Sequence, residues 1–223
     1  KSFFKNIVEN RANFFKSKNL KLDVNLEDTT SLNDAISDLL RKNGTKESPD
    51  TKNFQAGIYS KATSSYQRLM RQSKPLTNQI ANSHRFAKHK KHTIAKFQYF
   101  LDKGVANKNI SDEIKEKYNM KKRTVVPLSH KSPTPTLTTL PDDYIHYCEP
   151  RILTVREYAR IQSFPDEIKF FGPQSEQCMQ VGNAFPPLAA ESIANAIMKT
   201  IQNDWKNDTV SNLAKYSLIS SKD

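Results

Sequence analysis

Thr154 followed three residues later by Glu157, with Leu153 ahead and Tyr158 behind, fixes a helix start inside "RILTVREYARIQSFPD" (151–166). A threonine cap takes the backbone N–H of the third helical residue, and a glutamate at that position reaches back to the cap's own N–H; together they form a capping box. Leu153 and Tyr158 stand where a hydrophobic staple would pack. Pro165 has no N–H and its ring blocks continuation, so the helix is predicted to run about three turns and stop there.

Around this unit the patterning is weaker. Phe3, Phe4, Phe14 and Phe15 punctuate a polar opening stretch with no sustained period. Ser31 can cap a helix reaching Asn43, with Ala35, Ile36, Leu39 and Leu40 on one face and Gly44 at its end. Residues 45–63, with Pro49 and Gly57, read as loop or extended chain. Ser83 is placed to cap a second helix carrying Ile94, Phe97, Phe100 and Leu101, closed by Gly104, and Ser111 precedes a short charged one. Thr124–Val126 is a β-prone run halted by Pro127, and the Pro/Thr-rich stretch 132–147 reads as extended or turn-like. Gly182–Asn183 suits a turn, Pro186–Pro187 a helix entry, and Ala190, Ile193, Ala194, Ile197, Met198 and Ile201 a buried helical stripe. After Trp205 the chain reads as a polar tail.

Composition excludes several classes. No run of 18 apolar residues is present among the 223, so a membrane-spanning helix is not expected. "KSFFKNIVEN" lacks the apolar run of a secretory signal, and with no initiator Met the chain reads as processed or as a piece of something longer. Cys148 and Cys178 match no metal-ligand spacing, which points to free thiols in an intracellular protein. His84, His89 and His92 stand among lysines without a cysteine, so no metal site is expected. The charge is more informative. Between Lys61 and Lys131 there are 17 Lys plus Arg against 4 Asp plus Glu, while the rest of the chain carries 18 basic and 19 acidic residues. The whole excess of the +12 chain thus lies in one segment, the footprint of a polyanion-binding surface.

Two stretches go beyond generic structure. The capped helix segment resembles the ninth sequence block of the cytosine-5 DNA methyltransferases of bacterial restriction–modification systems. "VGNAFPPLAAESIANAI" (181–197) resembles their tenth. "SPTPTLTT" (132–139) is similar to the Thr-Leu element of that family's target recognition domain, and "SLNDAISDLL" (31–40) and "NQIANSHRF" (78–86) to weaker landmarks around it. The family's Pro-Cys nucleophile, its Phe-x-Gly-x-Gly cofactor block and its Glu-Asn-Val and Gln-x-Arg-x-Arg blocks are missing; Glu9–Asn10 is followed by Arg11 and reads as coincidence.

The resemblance implies an α+β fragment: an irregular target recognition domain plus C-terminal helices completing an α/β, Rossmann-like S-adenosylmethionine-dependent methyltransferase domain. Its parts would be a connecting segment at 1–45, the recognition domain at 46–147, the C-terminal piece at 148–205 and a tail at 206–223. No catalytic residue is expected in the chain. Asn183, Ala184 and Phe185 would help hold S-adenosylmethionine, and Thr136, Leu137 and Thr138 would lie against the DNA. Arg68, Arg71, Asn78, Gln79 and Arg85 have the chemistry to read bases. Arg151, Thr154, Arg156, Glu157 and Arg160 would brace the recognition domain. The implied partners are double-stranded DNA and the N-terminal catalytic part or subunit of the same enzyme, in a bacterial cytoplasm at the nucleoid. The alternative is a catalytically inactive DNA-binding or regulatory protein that retains the recognition scaffold.

Overall fold

The computed structural model describes residues 30–202. The Phe-punctuated opening stretch, Glu9–Asn10, Trp205 and the polar tail lie outside the described residues. Residues 23–186 form one compact unit, and 187–223 belong to a second with residues 1–22.

The first unit opens with α1 (Leu32–Ile36), capped by the Ser31 hydroxyl accepting the Asp34 N–H at 3.1 Å. The single helix expected to reach Asn43 is broken into two 3-10 turns, Ser37–Leu39 and Arg41–Asn43, because Leu40 between them is extended. Asp38, Leu39 and Leu40 are all buried, which one face of a continuous helix would not allow. Gly44 then closes the segment at φ 122°, and a Cβ there would meet Ile58 at 2.8 Å.

The stretch expected to be loop at 45–63 holds two strands, β1 (Thr45–Glu47) and β2 (Gln55–Ile58), followed by α2 (Ser65–Met70) and β3 (Ile80–Arg85). They form an antiparallel sheet in the order β1-β2-β3. β1 is polar and fully exposed, so it carries no alternating pattern to read. Ser83 corrects the helix start: it lies in β3 at φ 57°, within an irregularity where the β2–β3 register shifts. The helix it was expected to cap, α3 (Lys91–Lys103), begins after Lys90 with no side-chain cap and ends at Gly104. Phe97 and Phe100 of α3 are buried with Ile110, Val125 and Ile145 in a satellite cluster. α4 (Asp112–Lys117) follows Ser111 as expected.

β4 (Val126–Pro127) and β5 (Tyr144–Ile145) pair in parallel, and Ile145 bridges to Ile152. The main core runs from Leu32 through Tyr59 and Leu137 to Tyr158, Cys178 and Val181.

α5 (Val155–Ile161) is shorter than the expected three turns. It ends before Pro165 is reached, because Ser163 adopts φ 60°. The Phe164 N–H bonds the Ala159 carbonyl and the Ser163 N–H bonds that of Arg160, the pair of contacts that closes a Schellman motif. The Gly182–Asn183 turn is also corrected: both residues form the last turn of α6 (Gln174–Asn183), with Ala184 as its cap. In the second unit, residues 187–202 form a helix, α7. Of the stripe expected to pack on a sheet outside this chain, Ile193 is half-buried and Ile197 and Ile201 are exposed. The chain is thus an α+β protein of mixed short helices and small sheets. Among the described residues no helix is long and apolar enough to cross a membrane.

Candidate functional site

The structure converges on α5. Thr154 and Glu157 form both halves of the capping box, the Thr154 N–H donating to Glu157 Oε2 at 2.8 Å. Leu153 and Tyr158 are buried in the same cluster, as a staple requires. Glu157 is fully buried and accepts two hydrogen bonds from Arg151, each 2.7 Å. Burial by itself would raise its pKa, but the Arg151 guanidinium overrides that and holds the carboxyl at about 2. Burial likewise opposes the charge on Arg151, and Glu157 and Glu149 together push its pKa up.

Two histidines flank this pair. His84 Nε2 lies 2.7 Å from the Leu39 carbonyl, an acceptor only, so Nε2 carries the proton and Nδ1 accepts from the Thr154 hydroxyl at 2.7 Å. Gly57 makes this possible, since a Cβ there would stand 2.4 Å from the His84 ring. His146 Nδ1 accepts the Cys148 and Glu149 N–H groups, both at 3.2 Å. Its Nε2 therefore bears the proton and stands 3.7 Å from Glu157, with no hydrogen-bond partner. Burial lowers both imidazoles, His84 to about 4 and His146 to about 3, so both are neutral at physiological pH.

The other face of α5 ties distant segments together. Arg160 clasps Asp166 with two bonds of 2.5 Å, Asp38 with two of 3.2 Å, and the Ala35 carbonyl at 2.9 Å. Arg156 donates to the carbonyls of Asn82, Pro165 and Ile168. All five residues expected to brace the fold are thus buried around one helix.

The residues expected against DNA are spread more widely. Thr136 and Thr138 are exposed on a loop whose Leu137 is buried. That loop is held by the Tyr144 hydroxyl on the Thr136 carbonyl (2.6 Å) and by Thr138 Oγ1 on Asp143 (2.8 Å). Gly182 of α6 approaches it so closely that a Cβ would lie 2.6 Å from the Thr138 carbonyl. Just beyond, Asn183 and Phe185 are exposed and Ala184 half-buried. Arg68, Asn78 and Gln79 are exposed. Arg85, at the far end of β3, stacks over Phe54 at 4.0 Å and donates to Gln174. Arg71 is a correction. It is buried, bonded to Asp38 and the Ser60 carbonyl and laid over Tyr59 at 4.5 Å, so it has no edge to offer a base. The sequence reading missed Asp38 and Asp166, the carboxylates that Arg160 needs, and gave His84 no place beside the Thr154 cap. Among the described residues no cluster of side chains could hold a metal ion.

The family model for C-5 cytosine-specific DNA methylases matches residues 4–199. Among curated relatives, a type II methyltransferase of Haemophilus parahaemolyticus, M1.HphI, is 52% identical over 59 residues, 26% of this chain and 16% of its own length. The type II methyltransferase M.BbvI of Brevibacillus brevis is 31% identical over 147 residues, 59% of this chain and 39% of its own. A solved DNA modification methyltransferase encoded within an E. coli prophage superposes with a TM-score of 0.52 at 20% identity, covering 83% of this chain and 53% of that one. That likeness concerns the fold. The chain spans well under two thirds of each of these proteins.

Proposed function

The chain belongs to the C-5 cytosine-specific DNA methylase family, and on that premise we propose that it is the target-recognition and C-terminal portion of a DNA (cytosine-5) methyltransferase. It would bind duplex DNA and support methyl transfer to C5 of a flipped cytosine. The attacking cysteine would come from polypeptide outside these 223 residues, since neither Cys148 nor Cys178 follows a proline. One observation carries the reading: the family match runs across nearly the whole chain although the chain contains no Pro-Cys.

Each part has a proposed role. The exposed Thr136 would donate to a phosphate and Thr138 would lie beside it, on a loop held by the Tyr144 hydroxyl, by the Thr138–Asp143 bond and by the close approach of Gly182. Arg68, Asn78, Gln79 and Arg85 would supply base-edge contacts; Arg71 is not among them. The lysines of 61–131 would release counterions from phosphates. Asn183, Ala184 and Phe185 would hold S-adenosylmethionine, which supplies an electrophilic methyl group. The exposed amide of Asn183 and exposed ring of Phe185 fit the polar end and a flat face of such a molecule. α5 would fix the recognition segments against the cofactor side, and exposed Ile197, Met198 and Ile201 of α7 would complete the α/β methyltransferase domain. The setting would be a bacterial cytoplasm.

The test is reconstitution. The chain, mixed with a Pro-Cys-containing N-terminal polypeptide from the same source, duplex DNA and labelled S-adenosylmethionine, should restore methyl transfer that neither part shows alone. DNA binding without any such rescue would favour the inactive DNA-binding protein instead. No duplex binding at low salt would overturn both readings.

A further inference from the structure

A cleft of about 710 Å³ opens between the sheet, the start of α3 and the 149–151 segment. It is of the size that holds small ligands, roughly 300–1,000 Å³. Its apolar lining is Phe86, Ile94 and Pro150, and Arg41, Lys42 and Lys88 stand exposed at its edge. Phe86 is buried, with the Arg41 guanidinium 5.5 Å and the Arg151 guanidinium 4.8 Å from its ring centre.

The charges of this cleft are unequal. Its one carboxylate, Glu149, is already engaged: one oxygen accepts the Lys42 backbone N–H at 3.3 Å and the other the Arg151 guanidinium at 2.7 Å. Arg151 is in turn saturated by Glu149 and Glu157. Arg41, Lys42 and Lys88 form no ion pair with any described residue. Three unneutralised cations around an apolar, partly aromatic hollow suit a ligand with a flat apolar body and an attached anion. Base stacking beside a cationic track is how single strands are held, and Arg planes stack on bases as well as grip phosphates.

We infer that this cleft binds an unpaired nucleotide, its base against Ile94 and Pro150 and its phosphate on Arg41, Lys42 and Lys88. A base stacked within a duplex hides both faces and cannot enter. Only Lys88 is shared with the basic segment assigned to duplex phosphates above, so the site stands whether or not that proposal does.

The test uses the 223-residue chain and a 5′-labelled (dT)12 oligonucleotide, read by fluorescence anisotropy across a salt series. The triple variant Arg41→Ala/Lys42→Ala/Lys88→Ala should bind about tenfold weaker or worse, with a salt slope smaller by about 0.7, from one single-strand phosphate contact. Its melting curve should stay close to the parent's, because all three side chains are exposed and only the contacts of Arg41 with Phe86 and of Lys88 with Phe54 are lost. Ile94→Ala should weaken binding several-fold and leave the salt slope unchanged, as loss of a stacking surface requires. Direct binding of dCMP would assign a free nucleotide and binding of the oligonucleotide alone a strand; both support the site. The inference fails if (dT)12 does not bind, if neither variant changes its affinity, if Ile94→Ala has no effect, or if a polyglutamate peptide displaces it as well as unlabelled (dT)12 does. Binding of a duplex, measured in parallel, reports on the proposed function alone.

Discussion

Replacing Glu157 with glutamine keeps the side chain's shape and removes one charge from the centre of the fold. Glutamine retains a single carbonyl oxygen and turns an NH₂ toward donors, so one of the two Arg151 contacts becomes donor against donor. The Glu157 carboxyl sits at about 2 rather than its ordinary 4.5. A depression of that size corresponds to about 3 kcal/mol of stability at neutral pH. Breaking a buried ion pair costs about 3–5 kcal/mol, and Arg151 keeps Glu149, so the loss should fall at the low end, about 3 kcal/mol. The pH dependence gives a second handle. A carboxyl depressed on folding contributes fully above 4.5, and the contribution drains away as pH falls toward 2. His84 and His146, depressed by burial to about 4 and about 3, make both proteins lose stability below pH 6.5, and the Glu157 charge, which favours both protonated rings, is absent from the variant. Urea unfolding of parent and Glu157→Gln at several pH values should show a gap of about 3 kcal/mol at pH 7 that narrows below pH 5. A gap under 1 kcal/mol, or one that stays constant into acid, would refute the reasoning.

Gly57→Ala should cost about 2 kcal/mol or more in urea unfolding, since the new Cβ collides with the His84 ring and breaks its bridge between Thr154 and Leu39. Lys90→Asp should stabilise the chain by about 1 kcal/mol, because α3 has no side-chain cap and no acidic residue in its first turn. In the native state a thiol reagent should label Cys148 and spare Cys178, which is buried with its pKa pushed up to about 12; equal labelling rates would contradict that placement. Gly182→Ala should weaken duplex binding by displacing the Thr136–Thr139 loop, read by anisotropy alongside a melting curve.

Where sequence told most, the signal was local and self-contained. The Thr154–Glu157 box, the Ser31 cap and the Gly104 stop needed only neighbouring residues, and all three stand in the structure. Ser64 with Gln67 carries the same capping-box signature and marks α2, which went unread because few apolar residues follow it. The strands were illegible for a physical reason: β1 is an exposed polar edge, and β3 bends around Ser83 so that its side chains do not alternate. The shortness of α5 was hidden because a serine, where glycine is the usual choice, takes the left-handed position that ends it. The brace arginines could be named but not their partners, since Asp38 lies more than a hundred residues upstream of Arg160.

A helix of seven residues is too short to be stable on its own merits. α5 holds because it meets polar partners drawn from three separate segments: Asp38 after α1, Asn82 and His84 in β3, and the carbonyls of Pro165 and Ile168. Replacing such a network with apolar side chains could keep the volume filled, but apolar contacts do not dictate register, whereas each guanidinium here accepts only one arrangement of carboxylates and carbonyls. The consequence reaches the surface. Tyr158 on the same helix donates to the Leu140 carbonyl at 3.2 Å, and Gly182 presses on Thr138 from α6, so the Thr136–Thr138 loop is set from both sides. The residues proposed to touch DNA and those proposed to face the cofactor are thus spaced by one rigid piece, and shifting α5 shifts both together.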